Sequence, residues 1–323
     1  MGKTTRQVRL LGTLIGYLAD SLLGDPKRGH PVAGFGGVAA VLERVTYRDS
    51  RIAGVVHVGV LVGAVGVLGA MLQREAERRG PLWSIAATAT ATWVALGGTT
   101  LTRTAQAMAE LIGRDDVEAA RGLLPSLCGR DPARLDRAGL TRAAVESVAE
   151  NTSDAHTAPL LWAAIGGAPA VLAYRSINTL DSMIGYRTPY YSRFGWAAAR
   201  LDDAVNYLGA RVTAALVVLC APAVGGSPSG AVRAWRRDAP RHPSPNAGVV
   251  EAAFAGALGV RLGGPTHYRH QLQIRPTLGE GVTPSVADLR RAVLLSRLVQ
   301  TASAAAMALC AGIGFSVVGR NGR

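Results

Sequence analysis

The alternation of apolar runs with short charged clusters divides the chain into long hydrophobic helices and polar connecting regions. Residues 54–72 carry no charged side chain and are bounded by Arg51 and by the cluster Arg74-Glu-Ala-Glu-Arg-Arg79. About 20 such residues cross the hydrocarbon of a bilayer, so this run predicts the clearest transmembrane helix. Residues 81–97, rich in Ala and Thr, predict a second, and small side chains there let helices approach closely. Residues 204–224 and 292–315 predict two more, with Arg211 and Arg297 facing protein or reaching toward the interface. Two further stretches are weaker candidates. Residues 10–23 are interrupted by Asp20 and stop at the turn signal Gly24-Asp-Pro26, and residues 158–173 are broken by Gly166-Gly-Ala-Pro169. A run so short and broken predicts a re-entrant or buried helix rather than a lipid-facing one.

Between these runs the pattern changes twice. Residues 101–152 show apolar positions recurring at three and four, with Asp131-Pro132 as a helix start and Gly113 and Gly129 as helix ends, and predict a cytosolic helical region. Asp115, Asp116 and Glu118 fit first-turn positions favoured by the helix dipole. Residues 233–289 predict a polar, turn-rich loop region with one small helix from Val249 to Leu258. The fold class that follows is all-α: a multi-pass helical membrane protein in a single integral-membrane domain, with helical cytosolic segments and a short buried helix near the site.

Composition narrows this reading. Of 323 residues 49% are apolar and the mean hydropathy is +0.20, a lean toward membrane without the extreme of a pure transporter. The net charge of +13 is carried mostly by arginine and fits positive loops flanking spans, or anionic ligands. With 5% aromatic residues no stacking platform is evident, so no nucleic-acid partner is expected. Cys128, Cys220 and Cys310 are far apart and odd in number, which predicts buried thiols rather than a disulfide or zinc framework. No removable signal peptide is expected at the start, and Gly2-Lys3-Thr4 is not expected to be a phosphate loop.

The chemistry concentrates between Glu146 and Asp203. On a helix Glu146, Glu150 and Asp154 stack on one face, a costly arrangement unless neutralised. Asn178 falls beside Asp181, and Asp202 and Asp203 beside Asn206, with Arg175, Arg187, Arg193 and Arg200 interleaved. Such a density of both charges next to apolar sequence suits a charged ligand and a divalent cation. Farther on, Arg241-His-Pro-Ser-Pro-Asn-Ala-Gly248 reads as a loop leading into a helix N-terminus, which can bind an anion or simply connect.

Four motifs together resemble the cobinamide-phosphate synthase family, CobD/CbiB, of cobalamin biosynthesis. They are Val145-Glu-Ser-Val-Ala-Glu-Asn-Thr-Ser-Asp154, Asn178-Thr-Leu-Asp-Ser-Met-Ile-Gly-Tyr186, Phe194-Gly-Trp-Ala-Ala-Ala-Arg-Leu-Asp-Asp203 and Asp238-Ala-Pro-Arg-His-Pro-Ser-Pro-Asn-Ala-Gly248. Gly24-Asp-Pro with His30-Pro-Val, and Gly256-Ala-Leu-Gly-Val-Arg-Leu-Gly-Gly264, match as well. Ala155-His156-Thr157 and Gly209 depart from the family pattern. The resemblance implies a multi-pass cell-membrane enzyme with its active site on the cytoplasmic side. It would join aminopropanol, or its phosphate, to the propionate carboxyl of cobyric acid, with ATP and Mg2+ expected. Other cobalamin-pathway enzymes are candidate partners.

A carboxylate accepts an amine only after one of its oxygens becomes a leaving group, so the site needs cations for phosphate and a base for the incoming ammonium. Asp154, Asp181, Asp202 and Asp203 are the candidate metal ligands, and Glu150, Asp154 and Asp181 the candidate catalytic residues, with Glu150 or Asp154 as base. Arg175, Arg187, Arg200, Asn178, His30, His242, Ser244 and Asn246 are the candidate substrate-binding residues. No glycine-rich nucleotide loop is recognisable. The competing readings are a magnesium-dependent membrane prenyl or alcohol-phosphate transferase, and a permease or scaffold subunit; the intramembrane charges count against the latter.

Overall fold

The computed structural model describes residues 3–26, 29–267 and 272–320, with side chains described over 6–26, 29–266 and 273–309. Gly2 and the side chains of Lys3, Thr4 and Cys310 lie outside the described residues. Thirteen helices follow in order among those residues: α1 (Lys3–Leu23), α2 (Pro31–Thr46), α3 (Arg51–Arg79), α4 (Pro81–Ala95), α5 (Gly98–Gly113), α6 (Val117–Leu123), α7 (Arg137–Thr152), α8 (Ala158–Ile184), α9 (Trp196–Val205), α10 (Tyr207–Cys220), α11 (Pro228–Asp238), α12 (Ala247–Leu258) and α13 (Val286–Arg320). A two-stranded hairpin, β1 (Leu262–His267) and β2 (Leu272–Leu278), separates the last two.

The chain is an all-α, multi-pass membrane protein. Four helical runs among the described residues are long and apolar enough to cross a membrane: Arg51–Arg79, Arg137–Ile184, Tyr207–Val224 and Val286–Leu309. Three coincide with predicted spans. The fourth corrects an expectation, because the brief insert at 158–173 belongs to a helical run of 48 residues. Its predicted break is real: Gly167 leaves helical geometry at φ 68°, ψ −152°, two residues before Pro169. The predicted span at 81–97 becomes α4, which at 15 residues falls short of a full crossing.

Where the sequence suggests one domain, the described backbone divides into two compact units. The first comprises Met1–Gly97, Ala158–Asn206 and Ala304–Arg323. In it α1 lies against α4 so closely that a Cβ built on Gly12 would come within 2.7 Å of Thr88 Cβ, and one on Gly16 within 2.5 Å of Thr92 Cβ. Such a small-residue seam is how helices pack without a hydrophobic drive between them. Gln73 adds polar contacts between α3 and α4, donating to Ser84 Oγ at 2.8 Å and accepting from Thr88 Oγ1 at 3.3 Å. Pro169 has no N–H to offer the Ile165 carbonyl one turn back, and Arg9 of α1 donates to that carbonyl instead.

The second unit comprises Gly98–Thr157 and Tyr207–Ser303. Its centre is α12, an apolar helix buried on nearly all sides, which packs against α7, α10, α11 and the hairpin. The small helix expected from Val249 to Leu258 is α12, while the rest of the expected polar loop region at 233–289 is corrected, since it also holds much of α11, the hairpin and the start of α13. Gly263-Gly264-Pro265 in β1 and Pro276 in β2 are residues that strands disfavour, which is why the hairpin leaves no alternating pattern to read. In register Leu262 faces Leu278 and Gly264 faces Arg275, so the ladder slips at Gly263. Asp116, one of the three acidic residues expected in a first turn, caps α6 by accepting from Ala119 N at 3.1 Å.

Candidate functional site

The second unit gathers most of its buried charge around α7 and α12. Asp136 starts α7 by accepting from Gly139 N at 2.7 Å, and the helix then carries Arg142, Glu146 and Glu150 at four-residue spacing along one face. Glu146 is buried at 2% exposure; its Oε2 accepts from the buried Arg130 and its Oε1 from Gly263 N at 2.8 Å. The slip in the hairpin makes the second bond possible. Gly263 sits at φ 81°, and a Cβ there would lie 2.0 Å from Pro276 O. Arg142 completes the clamp, donating to Gly263 O at 2.7 Å and Pro265 O at 2.6 Å.

Glu251 is the one charged residue of α12 and is fully buried. Neither carboxyl oxygen has a hydrogen-bond partner among the described residues, and the nearest cation, Arg275 Nη1 on β2, is 3.7 Å from Oε1. Burial, reinforced by Glu146 and Glu150 and only partly offset by Arg275 and Arg130, holds this carboxyl well above the usual carboxylate range. His242 belongs to the same group. Burial first, and Arg275 second, push it down to about 4, and its Nε2 is buried without a partner among the described residues. At the far end of β2, Asp238 takes Arg237 Nε and Nη2, both at 2.7 Å, and Gly279 N at 2.9 Å. Those contacts, Arg237 foremost, hold its carboxyl below the usual range.

The loop read as an anion site is largely occupied by its own contacts. Ser244 Oγ accepts from Asn246 N at 3.3 Å and Ala247 N at 3.2 Å, and Ser244 N donates to His242 Nδ1 at 3.1 Å. Asn246 Oδ1 takes Arg211 Nη1 at 2.7 Å, which places the arginine of the predicted span against protein. Glu150 is half-buried on the face of Glu146. Asp154, also half-buried, follows within a π-turn, Ser153–Thr157, whose wider ring shifts the helical phase after Thr152, so the expected stack of three carboxylates is interrupted. His156 is buried in that turn, where a Cβ on Gly98 would meet its Nδ1 at 2.6 Å.

The first unit holds a different arrangement. Asp202 on α9 accepts at Oδ1 from Asn206 Nδ2 at 2.8 Å and Asn178 Nδ2 at 3.2 Å. Tyr174 donates to Asn206 Oδ1 at 2.7 Å, and Arg175 to Asn178 Oδ1 at 3.3 Å. Asp203, next along α9, pairs instead with the exposed Arg200 at 3.1 Å. Partial burial raises its carboxyl above the usual value, against the pull of Arg200 and the exposed Arg187. Asp181 is half-buried near the end of α8. His30 caps α2, its Nδ1 accepting from Val32 N at 3.1 Å, with Pro31 opening the helix.

With this geometry in view the comparisons are specific. The family described as "CobD/Cbib protein" matches residues 13–296. The chain belongs to that CobD/Cbib family. A "Cobalamin biosynthesis protein CobD" of Mycobacterium tuberculosis is 72% identical over 304 residues, covering 94% of this chain and 96% of the relative. One from Mycobacterium bovis is 73% identical over 298 residues, covering 92% and 94%, and one from Geobacter metallireducens is 42% identical over 275 residues, covering 84% and 86%. No solved structure matches the chain.

Within this CobD/Cbib chain the expected metal ligands are divided: Asp154 lies in the second unit and Asp181, Asp202 and Asp203 in the first. Among the described residues no group of three or more His, Cys, Asp or Glu side chains is arranged to hold a metal ion. Sequence reasoning passed over Glu251, Arg130, Arg142, Arg275 and Gly263. The lone glutamate of an otherwise apolar 12-residue helix was the signal that could have revealed the first of them.

Proposed function

We propose that the chain attaches aminopropanol, free or as its phosphate, to the propionate carboxyl of cobyric acid, yielding cobinamide or cobinamide phosphate in cobalamin biosynthesis. The names of the relatives support the pathway. The observation that carries the chemistry is the buried group of carboxyls and guanidiniums around Glu146 and Glu251, which suits a small ligand bearing both an ammonium and a phosphate. ATP is the co-substrate that turns one propionate oxygen into a leaving group. Mg2+ would accompany its phosphates, needing one or two protein carboxylates at most.

The chain's own residues supply binding and proton handling. Glu146, held by Arg130 and Gly263, fixes the hairpin over α7 and α12 and keeps water from the carboxyls beside it. Glu150 and Asp154 are candidate bases at the edge of this group. In the first unit, Arg175, Arg187 and Arg200 offer guanidinium forks to phosphate or to corrinoid amides, with Asn178 and Asp181 beside them. The corrinoid would reach these groups from the cytoplasmic side of the cell membrane, and neighbouring pathway enzymes are candidate partners for its delivery.

The test is turnover. Membranes containing the chain, given cobyric acid, aminopropanol phosphate, ATP and magnesium, should form a new amide detectable by mass. Loss of ATP dependence, or no amide with either the free or the phosphorylated alcohol, would overturn the proposal.

A further inference from the structure

A carboxyl inside a protein ordinarily has hydrogen-bond partners, because burying one without them is costly. Glu251 departs from this twice over. Both oxygens are buried and unpartnered among the described residues, and Arg275 stands at 3.7 Å, too far to donate a hydrogen bond. The charged groups that act on it are Glu146 and Glu150 from α7, Arg130 from the segment before α7, and Arg275 from β2. Glu146 is already committed to Arg130 and Gly263 N. Among the described residues no donor reaches either Glu251 oxygen, although Arg130, Arg142 and Arg275 stand in the same group. A primary ammonium would supply the donors that both oxygens lack, and the guanidiniums would receive a phosphate on the same ligand.

We infer that Glu251 receives the ammonium end of the amino-alcohol substrate and takes its proton to free the attacking amine. The inference rests on the ligase reading above and assigns the base to Glu251 rather than to Glu150 or Asp154. The protons balance in two steps. On docking, Glu251 forms an ion pair with R–NH3+ as a carboxylate, any proton it held passing to solvent. When the activated carboxyl is in place, one N–H proton passes to the carboxylate, giving R–NH2 and a protonated Glu251; the amine lone pair then forms the C–N bond as the C–O bond to the activated oxygen breaks, and the leaving phosphate carries off that oxygen and the second N–H proton. The second transfer is favourable because two opposite charges in a dry site become two neutral groups. Arg275, one-fifth exposed on β2 and 3.7 Å from Glu251, is the guanidinium that would pair with a phosphate ester on the same ligand.

The experiment uses the detergent-purified full chain and two probes, 1-aminopropan-2-yl phosphate and its desamino analogue isopropyl phosphate, titrated by calorimetry at pH 7 in buffers of different ionisation enthalpy. The amine should bind about tenfold or more tightly than the analogue and release about one proton on binding. Glu251→Gln keeps the shape of the side chain and removes its ability to ionise. It should bring the amine probe down to the affinity of isopropyl phosphate, abolish proton release and leave isopropyl phosphate binding unchanged. Equal binding of both probes to the unsubstituted chain overturns the inference even if the variant does not fold, as does a folded Glu251→Gln chain that keeps both the preference and the proton release. Absence of amide formation with the amine preference intact would refute the ligase reading alone.

Discussion

The two units each bury acidic groups, and they treat them in opposite ways. Around Asp202 the carboxylate is surrounded by neutral amides, and a chain of donors from Tyr174 through Asn206, and from Arg175 through Asn178, satisfies it. Around Glu146 and Glu251 acidic groups and guanidiniums face one another, and one carboxyl has no hydrogen-bond donor among the described residues. A satisfied polar network fixes a packing arrangement; an unsatisfied one is poised for something that arrives. The contrast is between a closed network in the first unit and an open one in the second.

The sharpest way to break the contrast is to remove Glu146. Glu146→Ala strands a guanidinium that is 6% exposed and an amide held by a left-handed glycine, so it should cost about 3–5 kcal/mol. Thermal unfolding of the purified chain would register this as a large drop in midpoint, and a shift below about 1 kcal/mol would show that the pair is solvated after all.

Asp202→Asn should be milder. Asparagine can still accept from Asn178 and Asn206, so only the charge assistance of those bonds is lost, about 1–2 kcal/mol. If the two variants destabilise equally, the distinction between the clusters fails.

How much of this could be read beforehand follows the same line. The long spans were legible because they depend on composition over about 20 residues, which a bilayer demands of any helix. Asp202 with Asn206 was legible because residues four apart on a helix must meet. Asp202 with Asp203 was misleading for the converse reason: adjacent helical residues point apart, so one finds Asn206 and the other Arg200. The group around Glu251 was hidden because its members come from α7, α12 and a hairpin whose strands contain two glycines and two prolines. No local periodicity announces a contact across more than a hundred residues, such as that between Glu146 and Gly263. The stack at Glu146, Glu150 and Asp154 was half right, because a π-turn that spacing alone does not reveal begins at Ser153.

A pH titration sharpens the comparison through Asp238, which ties the hairpin of the second unit to α11. Its carboxyl lies below the ordinary value of 3.8 when folded, so its contribution is fully present above that value and lost as pH falls through the lower, folded one. Asp238→Asn should therefore be less stable than the parent chain at pH 7 and converge with it in acid. Arg237 is 36% exposed, so screening holds the difference to about 1 kcal/mol. Parallel unfolding curves across the acid range would remove Asp238 as the pH-sensitive tie.

The smallest effect on stability should come from Arg200. Its pair with Asp203 is 60% exposed on the arginine side, and such pairs contribute about 0–1 kcal/mol. Arg200→Ala should leave the unfolding midpoint nearly unchanged and raise the Asp203 carboxyl further, because one of the two guanidiniums opposing its partial burial is gone. If Arg200 holds phosphate, the same variant raises KM for ATP or for aminopropanol phosphate while kcat changes little, since a guanidinium that binds ground state and transition state alike gives uniform binding. Lys at that position would restore charge without the fork, so partial rescue by Arg200→Lys marks a bidentate phosphate contact, and full rescue marks a purely electrostatic one. An unchanged KM in both variants would confine Arg200 to its pair with Asp203 and leave anion binding to the guanidiniums of the second unit.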